Sequence, residues 1–131
     1  MYDVFFGKCV MTSEELKGRT KLFAIKTARL IQELNQSNIN RAYCAQLVRS
    51  SSSVGANYRA ARRAKSRADF INKLKIVEEE LDESQFFLEL LLEFNSRKST
   101  ELKELISEAE TLLKIIVATI NAVRRTVHRT S

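Results

Sequence analysis

The strongest constraint on this chain is an absence: its 131 residues contain no proline and only three glycines. Backbone with so few breakers favours long uninterrupted helices over sheet folds with many turns. The length suits one modest domain, read as residues 1–131 with a short N-terminal lead-in and a basic C-terminal tail. Hydrophobic residues make up 44% of it, enough to build a core. Two cysteines, Cys9 and Cys44, disfavour a disulfide-stapled extracellular scaffold. No run of about twenty apolar residues is available to span a bilayer, and Met1-Tyr2-Asp3-Val4 lacks the basic start of a secretory signal. The expectation is a soluble cytoplasmic protein without a membrane.

Periodicity divides the chain into four helices. The first dozen residues, with Phe5, Phe6 and Val10, show no secure period and read as a packed arm or ordered lead-in. Thr12 and Glu15 then have capping-box spacing, and Leu16, Phe23, Thr27, Leu30 and Leu34 line one side of a first helix, whose early turns Gly18 weakens. The polar stretch Gln36, Ser37, Asn38 and Asn40 predicts a reversal, followed by a second helix from about Asn40 to Lys65. Its inward series is Tyr43, Leu47, Ser50, Val54, Asn57 and Ala61. Ser50 to Ser53 resemble a linker in composition, but helical spacing continues through them. Ser50, Ser51, Gly55 and Ala56 instead let a neighbouring helix approach closely.

Ser66 and Asp69 form another cap, after which Phe70, Leu74, Val77, Leu81, Ser84, Leu88 and Leu91 alternate steps of four and three. Asn95, Ser96 and Ser99 mark a turn before Leu102, Leu105, Ala109, Leu112, Ile116, Thr119 and Val123 repeat that rhythm. The third and fourth helices each need roughly 25 residues, or about 40 Å. The predicted fold is all-α, an antiparallel up-and-down four-helix bundle.

Apolar residues exceed what four seams require. Phe86 and Leu90 lie off the heptad of helix three, and Ile106, Leu113, Ile120 and Val127 flank that of helix four. Either they broaden the core, or they form a second face for a partner or another copy. The pattern favours self-association, with Phe86, Leu90, Ile106, Leu113 and Ile120 as the candidate subunit interface.

Catalytic chemistry finds no support. His128 is the only histidine, the cysteines have no metal spacing, and no glycine-rich phosphate loop or nucleophile elbow occurs. No cofactor, metal site or catalytic residue is expected, and the chain does not read as an enzyme. Asn57 falls on the inward phase and calls for a partner: Ser84, Glu80 or a backbone carbonyl.

Charge is segregated. Seven basic residues between Arg59 and Lys75, opposed by Asp69 alone, match the whole chain's net +6, whereas Ile76 to Ser96 carries acids and no base. Arg59, Arg62, Arg63, Lys65 and Arg67, joined by Arg124, Arg125 and Arg129 in the tail, are candidate contacts to nucleic-acid phosphates. No base-reading motif accompanies them. A solvated basic surface and an acidic protein partner are the competing readings.

The segment Gln46-Leu47-Val48-Arg49-Ser50-Ser51-Ser52-Ser53-Val54-Gly55-Ala56-Asn57-Tyr58-Arg59 carries a specific resemblance. It continues through Ser66, Asp69-Phe70, Lys73-Leu74, Glu80, Asp82-Glu83 and Phe87-Leu88-Glu89-Leu90-Leu91, with Arg19-Thr20 and Phe23-Ala24 upstream. These residues resemble the four helix bundle protein family associated with intervening sequences in bacterial large-subunit ribosomal RNA genes. The resemblance implies an up-and-down protomer. By similarity to accessory proteins of diversity-generating retroelements, it also implies a ring-like homopentamer able to contact a reverse transcriptase or nucleic acid. It further suggests that Arg49, Asn57, Glu80 and Glu83 form an interhelical network. Ala60 stands where that branch would have glutamate, Glu79 where it would have lysine, and Phe87 where it would have tryptophan. The functional expectation is a noncatalytic oligomeric assembly protein that binds nucleic acid or a reverse transcriptase through basic surfaces. The alternative is a structural or protein-interaction module without nucleic acid.

Overall fold

A computed structural model describes the backbone of residues 4–6 and 9–130 and the side chains of residues 11–126. Four helices follow one another: α1 (Ser13–Glu33), α2 (Asn38–Arg62), α3 (Arg67–Phe94) and α4 (Ser99–Thr130), with a 3-10 turn at Ser96–Lys98. Each packs on its sequence neighbours, and α4 closes back on α1. With turns this short, the result is the antiparallel up-and-down bundle that the periodicity predicts. A short antiparallel pair, β1 (Val4–Phe6) and β2 (Cys9–Met11), precedes it, with Phe5 opposite Val10. Three-residue strands are too short to declare themselves by alternation, which is why the sequence shows no period there.

Local chemistry sets the helix starts. Thr12 and Glu15 make the reciprocal capping box, and Ser37 and Ser66 accept the amides of Asn40 and Asp69 at 3.1 and 3.0 Å. Each such cap contributes about 1 kcal/mol. Helix α2 stops at Arg62 rather than near Lys65. Ser66 must be extended to cap α3 (φ −156°, ψ 167°), so the chain leaves the helix three residues earlier.

The heptad of α3 is buried throughout, and so are Leu16, Phe23, Leu30 and Leu34 on α1. On α2 the inward phase differs from expectation. Tyr58, 3% exposed, enters the core, while Tyr43 and Asn57 are only half-buried. Ser50 and Ser51 are fully buried and Gly55 faces Thr20, so α1 and α3 do approach across small residues, although Ala56 itself is exposed. The flanking stripe of α4 broadens the core: Ile120 is 2% exposed, and Ile106 and Leu113 are half-buried against the cluster. Ile120 therefore offers no surface to another subunit, a correction to the interface expected from its phase. The reason is that α4 is covered by α3, α1 and β1 together, which widens its buried face.

The bundle is uneven along its axis. Helix α4 has 32 residues against 21 in α1. An ion pair of 3.0 Å between Lys98 and Glu33 ties the start of α4 to the end of α1. The excess of α4, about 16 Å at the helical rise, therefore projects past the start of α1.

Candidate nucleic-acid interface

Topology brings together what the sequence separates. In an up-and-down bundle the end of α2, the start of α3 and the overhanging end of α4 share one pole with the start of α1. Arg59, Arg63, Lys65, Arg67, Arg124 and Arg125 are all exposed, and all belong to this pole. Arg59 and Arg62 occupy the last turn of α2, where cations complement the helix dipole. The side chain of Arg129 lies outside the described residues, as do those of Val127 and His128.

Arg62 differs from its neighbours. Its side chain is 25% exposed, and its guanidinium donates to the Glu14 carboxylate at 2.8 Å. Glu14, Lys17, Arg59, Arg62 and Arg63 line a depression of about 250 Å³. The hydrogen bond from Arg62, reinforced by its charge and then by Lys17 and Arg59, holds the Glu14 carboxyl below the usual carboxylate range.

Farther along the bundle, two arginines are matched by acids of a neighbouring helix. Arg49 on α2 reaches Glu80 at 3.1 Å and also pairs with Glu83, both on α3. Arg19 on α1 makes a bidentate contact with Glu108 on α4, both bonds 2.8 Å long. Three of the four network residues expected from the sequence are thus in contact. Asn57 is not among them, because its amide donates to Ser53 O and Oγ within α2, both at 2.9 Å. The buried polar link between α2 and α3 is made instead by Ser50 and Ser84, whose hydroxyls lie 2.9 Å apart and which also reach the carbonyls of Leu47 and Glu80.

The opposite pole is held by amides. Asn40, 3% exposed, exchanges two 2.9 Å hydrogen bonds with Asn95 and also donates to the Asn35 carbonyl, while Asn95 donates to Leu91 O. The sequence marks these asparagines as turn residues, but carries no local sign that they join two turns. Nor does it carry one for Glu14, since a partner 48 positions away leaves no local pattern.

An apolar ridge runs along α2 and α3. Tyr43 lies 6.1 Å from both Phe87 and Phe94, and Phe86 packs edge-on against Phe87 at 5.4 Å. Phe86 and Phe94 are more than half exposed, while Leu90 is half-buried. Across the bundle, the loosely packed α1–α4 seam opens a groove of about 460 Å³ between Lys26 and Arg29 on one wall and Glu104 and Glu108 on the other.

Among the described residues, no three His, Cys, Asp or Glu side chains converge as a metal site would require. Burial pushes the Cys44 thiol up, away from the reactive thiolate form. No helix among the described residues is long and apolar enough to cross a membrane.

Comparison with known proteins agrees with the architecture. A crystal structure of a protein of unknown function from the S23 ribosomal protein family of Bacteroides thetaiotaomicron VPI-5482 superposes with a TM-score of 0.74. Its sequence is 30% identical, over 85% of this chain and 99% of that one. No curated protein matches. Residues 15–118, from the first turn of α1 through most of α4, match the family described as 23S rRNA-intervening sequence protein, and the chain belongs to that family.

Proposed function

We propose that this protein is a noncatalytic, self-associating helical module whose basic pole contacts nucleic-acid phosphates. One observation carries the reading: two exposed basic segments some sixty positions apart meet at a single pole, whereas Arg19 and Arg49 elsewhere are matched by acids. Phosphate contact needs such a concentration of exposed cations and little else. The aromatic side chains of Tyr58 and Phe70 near this pole are buried in the core and not presented to bases, so the reading is backbone-directed rather than sequence-specific. The family name refers to a ribosomal RNA gene insertion and adds no activity to this argument.

The second reading is a protein-interaction or structural module without nucleic acid. The ridge around Phe86 and Phe94 favours it, because large aromatics standing in solvent along one helix mark a contact surface. Self-association through Phe86 and Leu90 is compatible with either reading. A ring-like homopentamer and a reverse-transcriptase partner rest on the family resemblance, and the phosphate argument needs neither.

Mass measurement in solution together with a salt titration of binding to duplex DNA and to structured RNA separates the two readings. Phosphate contact predicts binding at about 50 mM salt that weakens steeply as salt rises. An assembly that binds neither nucleic acid at that salt supports the second reading.

A further inference from the structure

We infer that the depression lined by Lys17, Arg59, Arg62 and Arg63 is a phosphate subsite of the basic pole, and that Glu14 is its built-in competitor. This rests on the nucleic-acid reading for the identity of the ligand and on geometry for the site itself. Arg59, Arg62 and Arg63 follow one another at steps of three and one, so they crowd the end of α2, and Lys17 approaches from α1. Like charges three positions apart on a helix repel, and a bound anion relieves that repulsion. Among the described residues lining the depression, a single carboxylate faces four cations, bound to one of them at 2.8 Å.

That carboxylate already behaves as a bound anion. Arg62 donates to it, Lys17 and Arg59 add their fields, and its proton is held less tightly than usual. The bond is nevertheless easy to break, because the Glu14 side chain is 71% exposed and exposed ion pairs are weak and screened. A phosphodiester bears the same charge with oxygens that suit a guanidinium fork, and it arrives with further phosphates for Arg59 and Arg63. Displacing Glu14 frees Arg62 for the ligand. The competitor also raises the threshold for isolated anions, which bring only one charge to the exchange. Glu14 is thus a positioning residue that keeps Arg62 oriented and occupied until a polyanion replaces it.

Glu15 provides the control. It is an exposed acid on the same helical turn, and glutamine at its position retains the capping box. Glu14→Gln and Glu15→Gln change the net charge equally. Binding of a labelled RNA hairpin at about 50 mM salt is expected to tighten about fivefold in Glu14→Gln and less than twofold in Glu15→Gln. In parallel, tripolyphosphate is titrated into the full chain while the Arg62 Nε resonance is followed, which should shift in the wild type and saturate at lower concentration in Glu14→Gln. Equal tightening in the two variants with an unmoved Arg62 resonance overturns the subsite and leaves the nucleic-acid reading standing. A shifted Arg62 resonance in a protein that binds no RNA hairpin supports the subsite and removes the nucleic-acid reading.

Discussion

The two poles of this bundle treat polar groups in opposite ways. At the pole of the α1–α2 and α3–α4 turns, Asn40 and Asn95 satisfy one another and Lys98 pairs with Glu33. At the other pole, six exposed cations belong to the end of α2, the turn after it, the start of α3 and the end of α4, where Glu14 is bound to Arg62 and Asp69 accepts the Lys65 amide. Matched polar groups specify structure, because each buried amide needs a partner and the partners lie on different turns. Exposed like charge adds little to folding and costs some self-repulsion, which is why its concentration at one pole supports the proposed binding surface. In this molecule satisfied polar groups mark architecture, and the proposed binding surface lies where exposed charge is concentrated.

Charge reversal at the basic pole should have the largest effect. Arg59→Glu together with Arg63→Glu is expected to weaken nucleic-acid binding about 100-fold at low salt, with only a small drop in the thermal midpoint, because both residues are exposed and lose just their contribution to the end of the α2 dipole. Comparable affinity in that variant would erase the distinction between the poles. The converse substitution, Asn40→Ala, should leave affinity intact and lower unfolding free energy by about 2 kcal/mol, since the buried Asn95 contact loses its partner. Denaturant titration reads this, and an additive double-mutant cycle with Asn95→Ala would show that the amides do not clasp. Between the poles, Thr27 Oγ1 is buried without a hydrogen-bond partner among the described residues. Thr27→Val, nearly isosteric, should therefore stabilise by about 1 kcal/mol in the same assay. Arg49→Met should matter least, about 0.5 kcal/mol, because Arg49 is half-exposed and its pairs with Glu80 and Glu83 are largely screened.

Much of the fold was legible because helices announce themselves locally. The α3 series from Phe70 to Leu91 and the caps at Thr12 and Ser66 depend only on spacing within one element, and the structure agrees at each. What failed required knowledge of neighbours. Tyr58 takes the inward position instead of Asn57 because α2 packs on both α1 and α3, and one periodic series cannot show which side each covers. Ile120 was read as surface because nothing local foretold that β1 would lie on α4. The candidate site divides in the same way. The basic residues were visible as a run, and their gathering at one pole followed from the alternation of four helices. The Glu14–Arg62 pair and the Asn40–Asn95 exchange link distant positions and had no local signature.

The central claim is that nucleic acid engages the basic pole and leaves the amide-clasped pole bare. Photo-cross-linking from a bound RNA hairpin, read by peptide mapping of the intact chain, tests it most directly. The account predicts cross-links concentrated in residues 59–67 and around Arg124 and Arg125. Cross-links concentrated around Asn35, Asn40 and Lys98, or spread evenly over the bundle, would contradict it.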